Sequence, residues 1–294
     1  MSDLPDLRTT LGAAPIVRDV VRVHGSEAVA FLQGQLSQDV ESLPVGEARP
    51  SLLLQPTGKV DAWVRVTREA EDALLVDVEQ GYGELVLARL RRFKLRTKAE
   101  LEPTTWSGLA LRGPGAREVD VPVGAWGLDA HWPGVPSVDL LTAGELALAG
   151  VALVPEAAME GLRIECGVPA MGAELTDATI PAEAGQWLID ASVSFTKGCY
   201  TGQELVARVD SRGGNVPRPI RGLLIGAPGV PRGAQVLTDD GATDVGHVTS
   251  VGESPALGSV ALAVVSRTVE PGAPVVLRWP DGEAPARVAA LPLR

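Results

Sequence analysis

Alternating and helically spaced apolar positions divide the chain into an α+β part and a β part. Residues 15–23, PIVRDVVRV, read as a strand, and Gly25 and Ser26 then open a helix over EAVAFLQGQLSQDV, with Val29, Leu32 and Leu36 at helical spacing and Ser26 as a cap. Short strands are predicted at 51–55, 60–66 and 73–78, with a turn at Pro56, Thr57 and Gly58. A helix from about Tyr82 to Phe93 carries Val86, Leu90 and Phe93 inward. The next stretch, KLRTKAEL, alternates, which predicts a strand with Lys94, Arg96 and Lys98 on one face. Residues 105–155 are Gly- and Pro-rich with short apolar runs, and a helix from about Pro155 to Cys166 follows. Beyond Arg218, strand-like runs at 220–225, 234–238, 245–251, 259–265 and 274–279 alternate with Gly/Pro/Asp turns, the pattern of a small antiparallel barrel.

Composition narrows the picture. With 294 residues, 45 % hydrophobic but only 4 % aromatic, the chain can bury a large core made mostly of Val, Leu and Ala. The 33 glycines and 23 prolines argue for many turns and against a helical bundle. A net charge of -11 repels phosphate, so general nucleic-acid binding is not expected. The first residues, MSDLPDLRTT, do not read as a signal peptide, and no apolar run approaches the roughly 20 residues of a membrane span. The expected setting is the reducing cytoplasm, where two cysteines are not a disulfide framework.

The densest chemistry lies in FTKGCYTGQELVAR, residues 195–208. Ala191 to Phe195 read as a short strand, and Gly198 permits a sharp turn after Lys197. Thr201 and Glu204 have capping-box spacing ahead of Leu205, Val206 and Val209, which predicts a helix start just past Cys199. Free backbone N–H groups, the positive helix end and Lys197 all favour a thiolate at Cys199 or hold an anion. The same residues also suit an ordinary cysteine in a capped turn.

Several other signals lead nowhere by themselves. Gly81-Tyr82-Gly83 makes half of a dinucleotide fingerprint, with Val86 where the third glycine belongs. His24, His131 and His247 lack metal-ligand spacing and read as turn or surface residues. Cys166 follows the apolar pattern of its helix and reads as a small core side chain. Two cysteines cannot supply the usual four thiolates of an iron–sulfur cluster.

Lys197, Gly198, Cys199, Tyr200, Thr201, Gly202, Gln203 and Glu204, the run KGCYTGQE, resemble the signature of the YgfZ-like folate-binding proteins, relatives of the glycine-cleavage T-protein, an aminomethyltransferase. GSEAVAFLQGQLSQDV at 25–40, LLLQPTGKV at 52–60, RRFKLRTKAEL at 91–101 and RIECGVPAMGAEL at 163–175 resemble the same family in the same order, so the resemblance runs from about residue 15 to 220. It implies an α+β, three-domain aminomethyltransferase-like fold around a central cavity for tetrahydrofolate. The implied division is a discontinuous first domain at 1–48 and 141–217, a second at 49–140 and a C-terminal β-barrel at 218–294. Glu165, in the R-x-E-x-G match with Arg163, would pair with the pterin, since a carboxylate suits adjacent N–H donors. Arg96 with Lys94 and Lys98 would attract the glutamate tail, and Lys197 is a candidate for a further folate contact that the resemblance implies. The T-protein's catalytic aspartate falls here on Ala62 or Trp63, with Asp61 displaced from it. That departure, with Cys199, implies the YgfZ branch: folate-dependent support of iron–sulfur enzymes, including tRNA-modifying ones, through a reactive cysteine and a transient iron–sulfur partner. A true aminomethyltransferase and a non-catalytic folate-binding module are the alternatives.

Overall fold

The computed structural model describes residues 4–146, 148 and 150–294. Strands β1 (Gly12–His24), β2 (Ala48–Leu54), β3 (Val60–Ala70), β4 (Ala73–Glu79), β5 (Glu100–Arg112), β6 (Trp126–Asp129) and β7 (Ser137–Thr142) form one antiparallel sheet, in the order β2-β3-β4-β1-β5-β7-β6. Its spine is β1, which pairs with β5 from Gly12↔Arg112 to His24↔Glu100 and with β4 on its other edge. The segment 1–48 thus lends its one long strand to the middle of a sheet built mainly from 49–140.

Helices α1 (Ala28–Gln35), α2 (Gly83–Lys94), α4 (Gln186–Ser192) and α5 (Gln203–Asp210) supply side chains to one core with the sheet, among them Leu32, Val86, Leu90, Leu188, Ile189 and Val206. Leu52, Leu53, Leu54 and Leu74 are fully buried in it. Each such leucine contributes about 1.5–3 kcal/mol of transfer free energy, which is how a chain so poor in aromatics holds together.

The C-terminal strands β8 (Ile220–Ile225), β9 (Gln235–Thr238), β10 (Asp244–Ser254), β11 (Gly258–Val265), β12 (Pro274–Trp279) and β13 (Gly282–Ala289) close a six-stranded antiparallel barrel. Val236, Val248, Ala261, Leu277 and Val288 pack in its own core. Helix α3 (Glu156–Cys166) lies against β10. A side chain at Gly161 would come within 2.1 Å of the Glu253 carbonyl oxygen, so only glycine allows the helix to sit this close.

The strand expectations hold for β1–β4 and for five barrel strands, and the structure adds β13. Three local expectations are corrected. Residues 94–98 form no strand: α2 runs to Lys94, Leu95 turns the chain with φ 45°, and β5 begins only at Glu100. Lys94, Arg96 and Lys98 therefore do not share a strand face. Ala191 and Ser192 end α4 rather than start a strand. Helix α1 stops at Gln35 because Leu36 is extended and Ser37 N–H donates to the Leu52 carbonyl at 3.0 Å instead of continuing the helix. Among the described residues no helix is long and apolar enough to cross a membrane.

Candidate functional site

The sulfur-bearing loop rests on a corner made from the end of α1 and the β2–β3 turn. The Lys197 ammonium donates to the carbonyls of Gln33, Leu36 and Gln38 at 2.5, 2.6 and 3.0 Å. Gln33 and Leu36 flank the end of α1, where carbonyls lose their helical partners, and a cation there satisfies them and the helix dipole together. Thr201 N–H donates to the Gly34 carbonyl at 3.1 Å. Gly202 and Gly58, at φ 83° each, bring the loop onto the β2–β3 turn; a Cβ on Gly202 would lie 2.5 Å from the Gln55 carbonyl oxygen.

The expected capping box is not formed. Gly202, left-handed, is the N-cap of α5, and no side chain caps the helix. Gln203 turns back so that its Oε1 accepts Tyr200 N–H at 3.2 Å, and Glu204 stands exposed in the first turn. Tyr200 is half-buried with its ring 5.1 Å from the Lys197 ammonium. Burial brings the Lys197 pKa down to about 8, which leaves it a cation at pH 7. Its charge is directed at carbonyls of the α1 end. Cys199 itself is exposed, as are Gly198 and Phe195. Cys166, the other free cysteine, is buried, and burial pushes its thiol up to about 12.

A cavity of about 650 Å³ lies elsewhere, between the sheet and α3. Trp63 and Trp132 line it with Met159, and charged groups converge on it from β1, β3, β4, β5 and α3. Arg65 is buried and donates to Asp77 and Asp139 at 3.0 Å each; Arg112 donates to Asp139 at 2.9 Å and its guanidinium lies 4.2 Å over the Trp132 ring. Burial alone would raise the Asp139 carboxyl, but Arg112 and Arg65 hold it down to about 2. Arg163 grips Glu160 through two bonds of 2.8 and 2.7 Å and reaches Glu174 at 3.2 Å. Ser250 of the barrel completes this brace, donating to Glu174 and accepting from Arg163 at 2.7 Å each. Among the described residues, no barrel side chain lines the cavity; the barrel supports its wall from behind.

Arg163 is the one expected site residue that lines this cavity. Glu156, Met159, Glu160 and Arg163, at helical i, i+3, i+4, i+7 spacing, form the cavity face of α3. Glu165 falls on another face: it is buried and accepts Arg8 Nε–H at 2.6 Å. Cys199 and Lys197 are not among the lining residues, and Arg96 stands exposed past the end of α2. Asp61 accepts from Arg89 at 3.0 Å, while Ala62 is buried and Trp63 faces the cavity. The half-fingerprint at 81–83 is filled by the chain's own Asp19, whose Oδ2 accepts the N–H groups of Gly81 and Gly83 at 2.8 and 3.0 Å. His131, read as a turn residue, does turn the chain at φ 56°, but it also lines the cavity, and burial lowers its pKa. Arg18, Arg65, Glu79 and Arg112 escaped notice altogether; each sits on a strand whose alternation could have placed it on one face.

Comparison with known proteins shows where this architecture belongs. Residues 18–124 match the GCVT N-terminal domain and residues 218–293 the glycine cleavage T-protein C-terminal barrel domain. The aminomethyltransferase of Thermus thermophilus is 31 % identical over 305 residues, 92 % of this chain and 83 % of that one. The tRNA-modifying protein YgfZ of Pectobacterium atrosepticum is 28 % identical over 242 residues, 73 % of this chain and 71 % of YgfZ. The chain belongs to the YgfZ/glycine-cleavage T-protein family. The crystal structure of aminomethyltransferase T from Bartonella henselae aligns with a TM-score of 0.76 at 21 % identity, over 97 % of this chain and 87 % of that one. This family member therefore has the α+β aminomethyltransferase-like fold, with the barrel at its C-terminal end.

Proposed function

We propose that the protein binds a reduced folate in the cavity between the sheet and α3 and supports iron–sulfur enzymes through the surface thiol of Cys199. The observation that carries the reading is the cavity. Its volume of about 650 Å³ falls in the range of small-molecule sites, and it combines two tryptophans with a few convergent charged groups. A pterin and its benzoyl linker are flat and aromatic, and Trp63, Trp132 and Met159 offer the walls to hold them. Bound tetrahydrofolate supplies a carrier for one-carbon units. The protein's part is to orient it, to exclude water and to keep the charged wall fixed through Arg163, Glu174 and Ser250.

The YgfZ role is favoured over aminomethyl transfer by the β3 residues. The T-protein aspartate position carries Ala62 or Trp63, and the nearby Asp61 is engaged by Arg89. The thiol faces solvent, so a cluster-bearing partner would meet it at the protein surface.

Calorimetry and tryptophan fluorescence with 5-formyltetrahydrofolate test the cavity. Binding should quench Trp63 and Trp132 emission, and Trp63→Leu should weaken it. Ligand at a hundred times its Kd should stabilise the fold by about 2.7 kcal/mol; no quenching and no stabilisation at saturation would refute the reading. For the thiol, Cys199→Ser should fail to restore iron–sulfur enzyme activities in cells lacking the protein. Full rescue would leave a folate-binding module without thiol chemistry. Release of methylene-tetrahydrofolate and ammonia from an aminomethylated carrier would assign the transferase activity instead.

A further inference from the structure

Apart from the exposed Glu156 at the start of α3, Glu79 is the one acid lining the cavity, among the described residues, that makes no salt bridge. Asp139 pairs with Arg65 and Arg112, Asp129 with Arg117 and Glu160 with Arg163. The two oxygens of Glu79 share a single backbone donor, Met171 N–H, at 3.2 and 3.3 Å. Burial raises its pKa, the mark of a carboxyl short of partners.

Arg18 lies directly opposite it, paired in the β1–β4 register as Arg18↔Glu79. Opposed residues of an antiparallel pair have Cβ atoms about 4.5–5.5 Å apart. Arg18 uses only its Nε, on Asp77 at 2.8 Å; among the described residues its two terminal nitrogens make no hydrogen bond. Both side chains line the cavity, and Trp63 on the neighbouring strand lines it beside them. The wall thus presents two acceptors that share one long hydrogen bond next to two free donors, with an aromatic plane at hand.

We propose that Glu79 and Arg18 together read the edge of a planar 2-amino-4-oxopyrimidine ring, the edge that a pterin and a guanine share. Glu79 accepts from the ring N–H and the exocyclic amine, and Arg18 donates to the ring oxygen. Such a bidentate, charge-assisted pair is both strong and selective. It relieves a carboxyl that now has one long hydrogen bond for two oxygens. The choice of pterin over guanine rests on the folate reading above, and it gives Glu79 the task that the R-x-E-x-G match suggested for Glu165.

The test is calorimetric binding of 5-formyltetrahydrofolate and, separately, of guanosine to the wild type, to Glu79→Gln and to Arg18→Lys. Gln matches the neutral carboxyl in shape, and circular dichroism with thermal melting confirms that each variant is folded. Glu79→Gln should lose tenfold or more in affinity for the folate, because its amide group meets the ring amine donor to donor. Arg18→Lys, which keeps the charge and loses the fork, should lose less. Folate binding equal in the wild type and Glu79→Gln overturns the assignment and leaves the folate reading intact. A Glu79-dependent affinity for guanosine with none for the folate keeps the edge-reading pair and ends the folate reading. Binding of neither compound to the wild type ends both.

Discussion

Replacing Lys197 with methionine separates a structural role from a chemical one. The ammonium satisfies three carbonyls, at 2.5, 2.6 and 3.0 Å. Gln33 would have given its carbonyl to Ser37 N–H had α1 continued, but that donor is bonded to Leu52. Methionine fills the stem's volume and supplies no donor. An acceptor left without a partner costs about 1–3 kcal/mol when buried. The corner is half-open, so water recovers part of that for three acceptors, and a net loss of about 3 kcal/mol is expected. With an unfolding entropy of about 2.1 cal/mol/K per residue, this lowers Tm by about 5 °C for cooperative unfolding of the whole chain. Urea midpoints and thermal scans measure it, and the alkylation rate of Cys199 serves as the second readout. A stability within about 0.5 kcal/mol of wild type, together with slowed alkylation, would show that Lys197 serves the thiol and that the α1 end does not need it.

The two cysteines should behave oppositely towards an aromatic disulfide reagent: the exposed Cys199 reacts at once and the buried Cys166, its thiol up near 12, only on unfolding. Two fast thiols would contradict the packing around α3. Asp139, held near 2 against an ordinary value of 3.8, has a depressed folded pKa, so its stabilisation is complete above about pH 4 and is lost as the pH falls towards 2. That loss amounts to about 2 kcal/mol, and Asp139→Asn should flatten the acid limb of the stability curve in that window; an unchanged limb counts against the Arg65–Asp139–Arg112 cluster as its source. Glu79 carries the opposite sign. Its raised folded pKa makes stability fall as the pH rises above the usual carboxylate range, so Glu79→Gln should melt higher than wild type at neutral pH, the two converging in acid.

The elements that repeat a period over many residues were legible in the sequence. β1–β4 and five barrel strands are runs rich in Val, Leu and Ile, and the turn residues between them mark their ends. Short patterns misled. KLRTKAEL alternates over too few positions to distinguish a strand from a helix end followed by a turn, and the left-handed Leu95 decided it. T-x-x-E spacing met a competing glycine: Gly202 takes the left-handed N-cap position that lets the loop touch Gly58. The R-x-E spacing sets Arg163 and Glu165 two positions apart, roughly 200° around a helix, so the two face different neighbours. The cavity was the least readable part. Its walls come from β1, β3, β4, β5 and α3, and which strand faces meet across a space is a property of the assembled sheet, absent from any local window.

Ser250 has a consequence for dissection of the chain. Its hydroxyl is the only group beyond residue 217 that, among the described residues, bonds to Arg163 or Glu174. Glu174 is almost wholly enclosed. A fragment ending before the barrel would keep every strand of the large sheet yet strip a neutral donor from an enclosed anion, and would uncover the glycine-lined side of α3. Such a fragment should be soluble only poorly, and the last quarter of the protein acts as a buttress without which the cavity has no firm back.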